Sequence, residues 1–246
     1  MDWEQWQHSW DRQQEWYMPD REERIRVMLD LVEAAAGPSP RVLDLACGPA
    51  TISRRLFARL PAATSVGIDR DPALLRIAER SFDGDVRITF ATADLNTADW
   101  SAIFADEPFD AILTATATHW MTATALARLY RDLVKLLRPG GIFLNADHMP
   151  DPANPLLNAL DDKVQQAHRK LASENGALDW DHWWTTAAAD PQLAEDVAAS
   201  REILREHTTG QEHPADWHLT RLREAGFLEA GVVWRSVTDA VVAAIR

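Results

Sequence analysis

The chain predicts an α/β protein in which a mainly parallel sheet is covered by helices on both faces. Three observations carry this. Short apolar runs alternate with helical segments from residue 41 to 147. The runs are continuously apolar, as strands buried on both faces require. Turn or capping residues punctuate the alternation, such as Asp71-Pro72 and Pro139-Gly140-Gly141.

In order, Trp3, Trp6, Trp10 and Tyr17 recur at helical spacing and share one face of a first helix. A second helix follows, with Asp20 as N-cap, Glu23 completing a capping box, an apolar stripe of Ile25, Met28, Leu29 and Val32, and Gly37-Pro38 as its stop. Strands are expected at 42–46, 64–69, 86–94, 110–116 and 141–147, with helices near 50–60, 71–82 and 122–137. Residues 150–214 break the alternation and read as helices at about 153–174, 180–189 and 191–206. A last helix at 214–225 ends at Ala225-Gly226, and the remainder forms two strands, a hairpin at the sheet edge. The division is 1–40, an N-terminal helical cap; 41–149, a ligand-binding core; 150–214, a helical insertion or substrate lid; and 215–246, the helix and hairpin that complete the sheet.

The chain has 246 residues, 46% of them hydrophobic, and a net charge of −13. That charge disfavours nucleic acid, which needs a basic face. The apolar runs are too short for a membrane span. The N-terminus lacks the basic and apolar regions of a signal peptide, and the single cysteine, Cys47, excludes a disulfide framework or a cysteine-rich zinc site. A cytoplasmic protein acting on a small molecule, as a monomer or homodimer, is the expectation.

Ligands of open α/β sheets bind at the carboxyl ends of the strands. Asp44, Asp69 and Asp94 fall at or near three such ends. An acidic residue ending the second strand suits a ribose diol, Asp44 before the first turn can orient it and receive an ammonium group, and Asp94 can accept an adenine amine. Each alone could equally be a helix cap or turn residue. The run RVLDLACGPATIS (41–53) has one glycine, Gly48, where a dinucleotide fingerprint needs three. A carboxylate at Asp44 would also repel a pyrophosphate.

VLDLACGPATIS, VGIDRDPALLRIAER, ATADLNTADW, FDAILTATATHWM, LVKLLRPGGIFLNAD and LREAGFLEAGVVW occur in the order of the motifs of class I S-adenosylmethionine-dependent methyltransferases, which the chain resembles over 41–147 and 215–245. The resemblance implies a Rossmann-like three-layer sandwich, with a seven-stranded, mostly parallel sheet and one antiparallel strand. It implies S-adenosyl-L-methionine as cofactor and S-adenosyl-L-homocysteine as product. Ala46, Cys47 and Gly48 would follow the methionine part, Asp44 its amino group, and Asp69 the ribose. Arg70 would cover the adenine, Asp94 would take its amine and Leu95 would donate a backbone N–H to it. Thr114, Ala115 and Thr116 would line the path to the methyl group.

The implied reaction is in-line methyl transfer to an oxygen or nitrogen of a small molecule, with proton removal. His119, His148 and Asp147 are candidate bases; His119 stands in the segment resembling the methyl-facing loop, but could instead pack beside Trp120 and bond a helix start. His148 is either a structural cap or part of the acceptor pocket. Trp180, Trp183 and Trp184 share a face after an Asp179 cap, as an aromatic lid or as the anchor of the inserted helices on the sheet; His182 points to solvent. Trp6 and Trp10 carry the same choice between covering the cleft, packing on the sheet and meeting a second subunit. No metal is expected, because the region offers only Asp147. Alternatives are a non-catalytic subunit that binds the same cofactor, and an enzyme of this fold doing other chemistry.

Overall fold

A computed structural model describes residues 1–104, 107–205, 210 and 212–246. Helices α1 (Trp3–Tyr17) and α2 (Arg21–Ala36) precede strand β1 (Arg41–Leu45). Then come α3 (Thr51–Arg59), β2 (Thr64–Asp69), α4 (Pro72–Ser81), β3 (Ile88–Thr92), β4 (Phe109–Ala115), α5 (Ala123–Leu136) and β5 (Leu137–His148). Helices α6 (Pro155–Glu174), α7 (Trp180–Ala189) and α8 (Ala194–Arg205) form the insertion, and α9 (Ala215–Ala225), β6 (Glu229–Arg235) and β7 (Asp239–Ile245) close the chain. Residue 206, the expected end of the third inserted helix, lies outside the described residues.

Among the described residues seven strands form one sheet in the order β3-β2-β1-β4-β5-β7-β6. The first five are parallel, and β7 runs antiparallel to both β5 and β6. The expected hairpin is present, but β7 lies inside the sheet and only β6 is at the edge. The strand order reverses between β1 and β4, so the chain leaves these neighbours in opposite directions and a crevice opens at their carboxyl ends.

One face of the sheet, with Leu43, Leu45, Ile112 and Phe143, packs on Leu126, Leu129, Tyr130 and Leu133 of α5 and Leu222 of α9. The other, with Val42, Ala111, Leu113 and Leu144, packs on Met28, Leu29 and Val32 of α2 and Leu56 of α3. These are the three layers. Helix α2 therefore belongs to the core, and only α1 of the expected N-terminal cap lies outside it. Asp20 does not cap α2 with its side chain: its ψ of 13° is not the extended backbone that aims a cap side chain at the first turn, and Glu23 pairs with Arg26 instead. The capping box is at α1, between Asp2 and Gln5. Asp71 and Asp179 cap α4 and α7 by accepting from the backbone N–H of Leu74 and His182.

A third cluster joins the insertion to the rest. Trp6 and Trp10 of α1, Leu74 and Ile77 of α4, Trp183 and Trp184 of α7 and Val197 of α8 pack together. The aromatic anchor thus rests on α1 and α4 rather than on the sheet. His182 is exposed, as its face requires. No described helix is long and apolar enough to cross a membrane.

Candidate active site

The carboxyl ends of β1, β2, β4 and β5 open into a cavity of about 610 Å³, roofed by α1 and the inserted helices. Ala46, Cys47 and Gly48, Asp69 and Arg70, Asp94 and Leu95, Ala115, His119, Trp120, His148 and Trp10 all line it. Asp44 lines its floor. Three expected residues do not. Thr114 is wholly buried in β4, and the wall is made one step later by Ala115, Thr116 and Ala117. Trp6 and Trp183 are buried against each other with ring centroids 5.6 Å apart, and their indole N–H groups are satisfied by Asp190 and Ser9. They hold up the roof, whose cavity side is Trp10, Trp180 and Trp184.

The turn after β1 keeps a glycine-like path without the glycines. Ala46, Gly48 and Ala50 all take left-handed backbone, with φ of 55°, 52° and 60°. An L-residue pays about 1–2 kcal/mol for that geometry. The path bends the chain so that Gly48 N–H points to Asp69 Oδ2 at 2.7 Å. Gly67 of β2 is needed beneath it, because a Cβ there would stand 2.8 Å from the Phe90 ring and 3.1 Å from Cys47 Sγ.

Asp44 is buried. Its Oδ2 accepts from Ser53 N–H and Oγ at 3.1 and 2.6 Å, while its Oδ1 has no partner. Burial pushes its pKa up to about 7, against the hydrogen bonds from Ser53. Asp69 accepts from the backbone N–H of Gly48, Arg70 and Asp71, and burial raises its pKa also. Arg70 reaches Asp94 at 3.5 Å across the cavity, and Asp94 accepts from Asn96 N–H at 2.9 Å. A ligand with a cationic end fits this set: an orphaned buried carboxylate oxygen awaits a donor, and carboxylates end two further strands.

The opposite part of the cavity carries two histidine–carboxylate pairs. His119 Nδ1 lies 2.6 Å from Asp147 Oδ1. Asp147 also accepts from Thr118 Oγ1 at 2.5 Å and from the backbone N–H of His119 and His148. Burial would raise the pKa of Asp147, but His119 and these donors hold it down to about 2. The carboxylate is therefore ionised and can only accept, so His119 donates from Nδ1 and Nε2 is the nitrogen left for a ligand. Burial works to lower the His119 pKa, and the charge and hydrogen bond of Asp147 outweigh it, so the net shift is upward. His148, next along β5, pairs with Asp239 of the neighbouring β7 at 3.0 Å, and Arg24 holds Asp239 at 2.8 Å. Its pKa is also raised: burial works against this, and Asp239 outweighs it. Nothing in the sequence pattern marks Gln14, Arg21, Arg169, Glu212 or Asp239 as cavity residues. Only the strand-end position of Asp147 was a usable signal. Among the described residues no cluster of side chains could hold a metal ion.

A sheet of this order, five parallel strands followed by an antiparallel pair, is the Rossmann-like fold of class I S-adenosylmethionine-dependent methyltransferases. Residues 42–141 match the family described as "Methyltransferase domain". It is similar to the trans-aconitate 2-methyltransferase of Acidovorax ebreus, 31% identical over 173 residues that cover 70% of this chain and 59% of that protein. It is likewise similar to the trans-aconitate 2-methyltransferase of Methylobacterium nodulans, 29% identical over 73% of this chain and 68% of that one. The chain spans about three fifths of the length of the first of these relatives. Its fold is that of an O-methyltransferase family protein from Burkholderia thailandensis, with TM-score 0.58 and 18% identity over 90% of this chain and 55% of the other. Human N-acetylserotonin methyltransferase, solved with S-adenosylmethionine, has TM-score 0.54 and 16% identity over 91% and 51%.

Proposed function

We propose that this protein transfers a methyl group from S-adenosylmethionine to an oxygen of a small-molecule acceptor, with His119 as the group that meets the acceptor. The observation that carries this is one continuous cavity, bordered by Asp44, Asp69 and Asp94 on the cofactor side and by the His119–Asp147 pair on the other. The cofactor supplies an electrophilic methyl group on a sulfonium. Asp44 Oδ1 would take its ammonium, Asp69 its ribose hydroxyls and Asp94 its adenine amine. Ala46 to Gly48 would lie along the methionine part, and Arg70 and Leu95 beside the adenine.

Trp10, Trp120, Trp180 and Trp184 exclude water and orient an acceptor over Ala115 to Ala117. Asp147 locks the His119 tautomer, so that Nε2 faces the acceptor as a base for a hydroxyl proton. A second reading is favoured by the raised His119 pKa and by the relatives' name: the acceptor oxygen is a carboxylate, already ionised, and His119 as imidazolium orients it. The two differ in sign. A base makes kcat/KM rise as pH increases through the His119 pKa, whereas an imidazolium makes it fall.

The test is mass-spectrometric detection of methylated product from S-adenosylmethionine and a panel of small acids, phenols and alcohols, beginning with trans-aconitate. Binding of S-adenosylhomocysteine without product from any acceptor would favour a non-catalytic binding subunit. No binding of it would sink the cofactor assignment.

A further inference from the structure

We propose that Arg169 is a specificity residue that holds a carboxylate of the acceptor, one other than the reacting oxygen. The inference rests on the methyltransferase reading and names the acceptor class: a small acid with an anionic group remote from the methylated position.

Arg169 projects from the last turns of α6 and lines the cavity. The other two arginines of the cavity have carboxylate partners: Arg21 meets Asp11 at 3.0 Å and Arg70 meets Asp94 at 3.5 Å. Arg169 has none among the described residues, in a chain with 38 acidic residues against 25 Lys and Arg. Its guanidinium lies over the rings of Trp16 and Tyr17, 5.2 and 5.6 Å from their centroids. Its Nε is buried without a hydrogen-bond partner. A half-buried guanidinium beside two rings, with a buried donor unsatisfied, is completed by an anion. Contact with two rings restrains the fork, which matches a carboxylate through two parallel hydrogen bonds.

The residue also stands on a different element from the strand-end carboxylates. Met18, next to Tyr17, accepts from Arg24 at 3.4 Å, and Arg24 holds Asp239, the partner of His148. Arg169 lines the cavity from α6 in its roof, whereas Asp44, Asp69 and Asp94 line it from the ends of the strands.

The experiment compares wild type, Arg169→Met and Arg169→Lys. Met keeps the stem that packs on Trp16 and Tyr17, and Lys keeps the charge without the fork. Protein loaded with S-adenosylhomocysteine is titrated calorimetrically with trans-aconitate, citrate, malonate and benzoate, and with the neutral triamide of trans-aconitate. Turnover is followed with the same compounds and S-adenosylmethionine. Expected are binding of at least one carboxylate and not of the triamide, a 10- to 100-fold rise in its Kd and KM in Arg169→Met with a smaller change in kcat, and partial recovery in Arg169→Lys. Affinity for S-adenosylhomocysteine stays the same in all three. Unchanged carboxylate affinity in Arg169→Met overturns the proposal, as does the absence of carboxylate binding to wild type that binds S-adenosylhomocysteine. Failure of wild type to bind S-adenosylhomocysteine overturns the methyltransferase reading instead.

Discussion

The orphaned oxygen of Asp44 makes cofactor binding a proton-linked event. Burial holds the Asp44 pKa at about 7, so the carboxyl is largely protonated at pH 6 and largely ionised at pH 8. From that value the ionised fraction goes from roughly one tenth to nine tenths across the interval, so a ligand ammonium that needs the ionised form should bind roughly tenfold tighter at pH 8 than at pH 6. Titration of S-adenosylhomocysteine at pH 6 in two buffers of different ionisation enthalpy should show release of close to one proton per ligand bound. Asp44→Asn should weaken binding at pH 8 by about 1.5–3 kcal/mol, the scale of a hydrogen bond to a charged group. It should also flatten the pH dependence. The sign of the stability effect is opposite. A folded pKa above the unfolded value of 3.8 means that ionisation opposes folding as pH rises from about 4 to 7, so Asp44→Asn should raise the apo-protein Tm at pH 8. A wild-type Kd that is flat between pH 6 and 8, or a slope that survives in Asp44→Asn, would refute the reasoning.

Ala46→Gly should stabilise the protein by about 0.5–1 kcal/mol in urea unfolding, since relief of the left-handed strain exceeds the added unfolded-state entropy. Ala50→Gly, which loses a fully buried methyl worth about 0.8 kcal/mol, should be close to neutral. Equal effects at the two positions would count against the strain argument. The His119–Asp147 pair gives a pH window for stability. The Asp147 contribution is present above pH 4 and lost as pH falls toward about 2, while the His119 contribution is present below pH 6.5 and lost as pH rises through its raised folded pKa. Asp147→Asn should therefore cost most stability between these limits, about 3–5 kcal/mol for breaking a buried pair, and a loss that is constant from pH 3 to 9 would contradict it. Trp183→Ala should cost about 3–5 kcal/mol in chemical denaturation as a core deletion, whereas a small stability loss with a large KM change would return Trp183 to the acceptor pocket.

The sequence by itself determined the sheet and the carboxylates at its strand ends. Strand and helix identity follow from local periodicity, and the residues at the strand ends, Asp69 and Asp94 among them, are set by where each apolar run stops. The left-handed turn was not legible, because alanine is an unusual residue for φ near +55°. Asp20 as a cap was not decided by the motif either: a side-chain cap needs extended backbone at that residue, and Asp20 has ψ of 13°. The partners of the histidines, and the rest of the cavity wall around them, were decided by tertiary structure. Asp239 meets His148 only because β7 inserts antiparallel beside β5, and Arg169 faces the cavity only because α6 leans on Trp16 and Tyr17. The tryptophans illustrate the same division. Their spacing put Trp6 and Trp10, or Trp183 and Trp184, on one helical face. Whether a ring on that face lines a cavity or fills a core depends on the helix packed against it, which local periodicity does not encode.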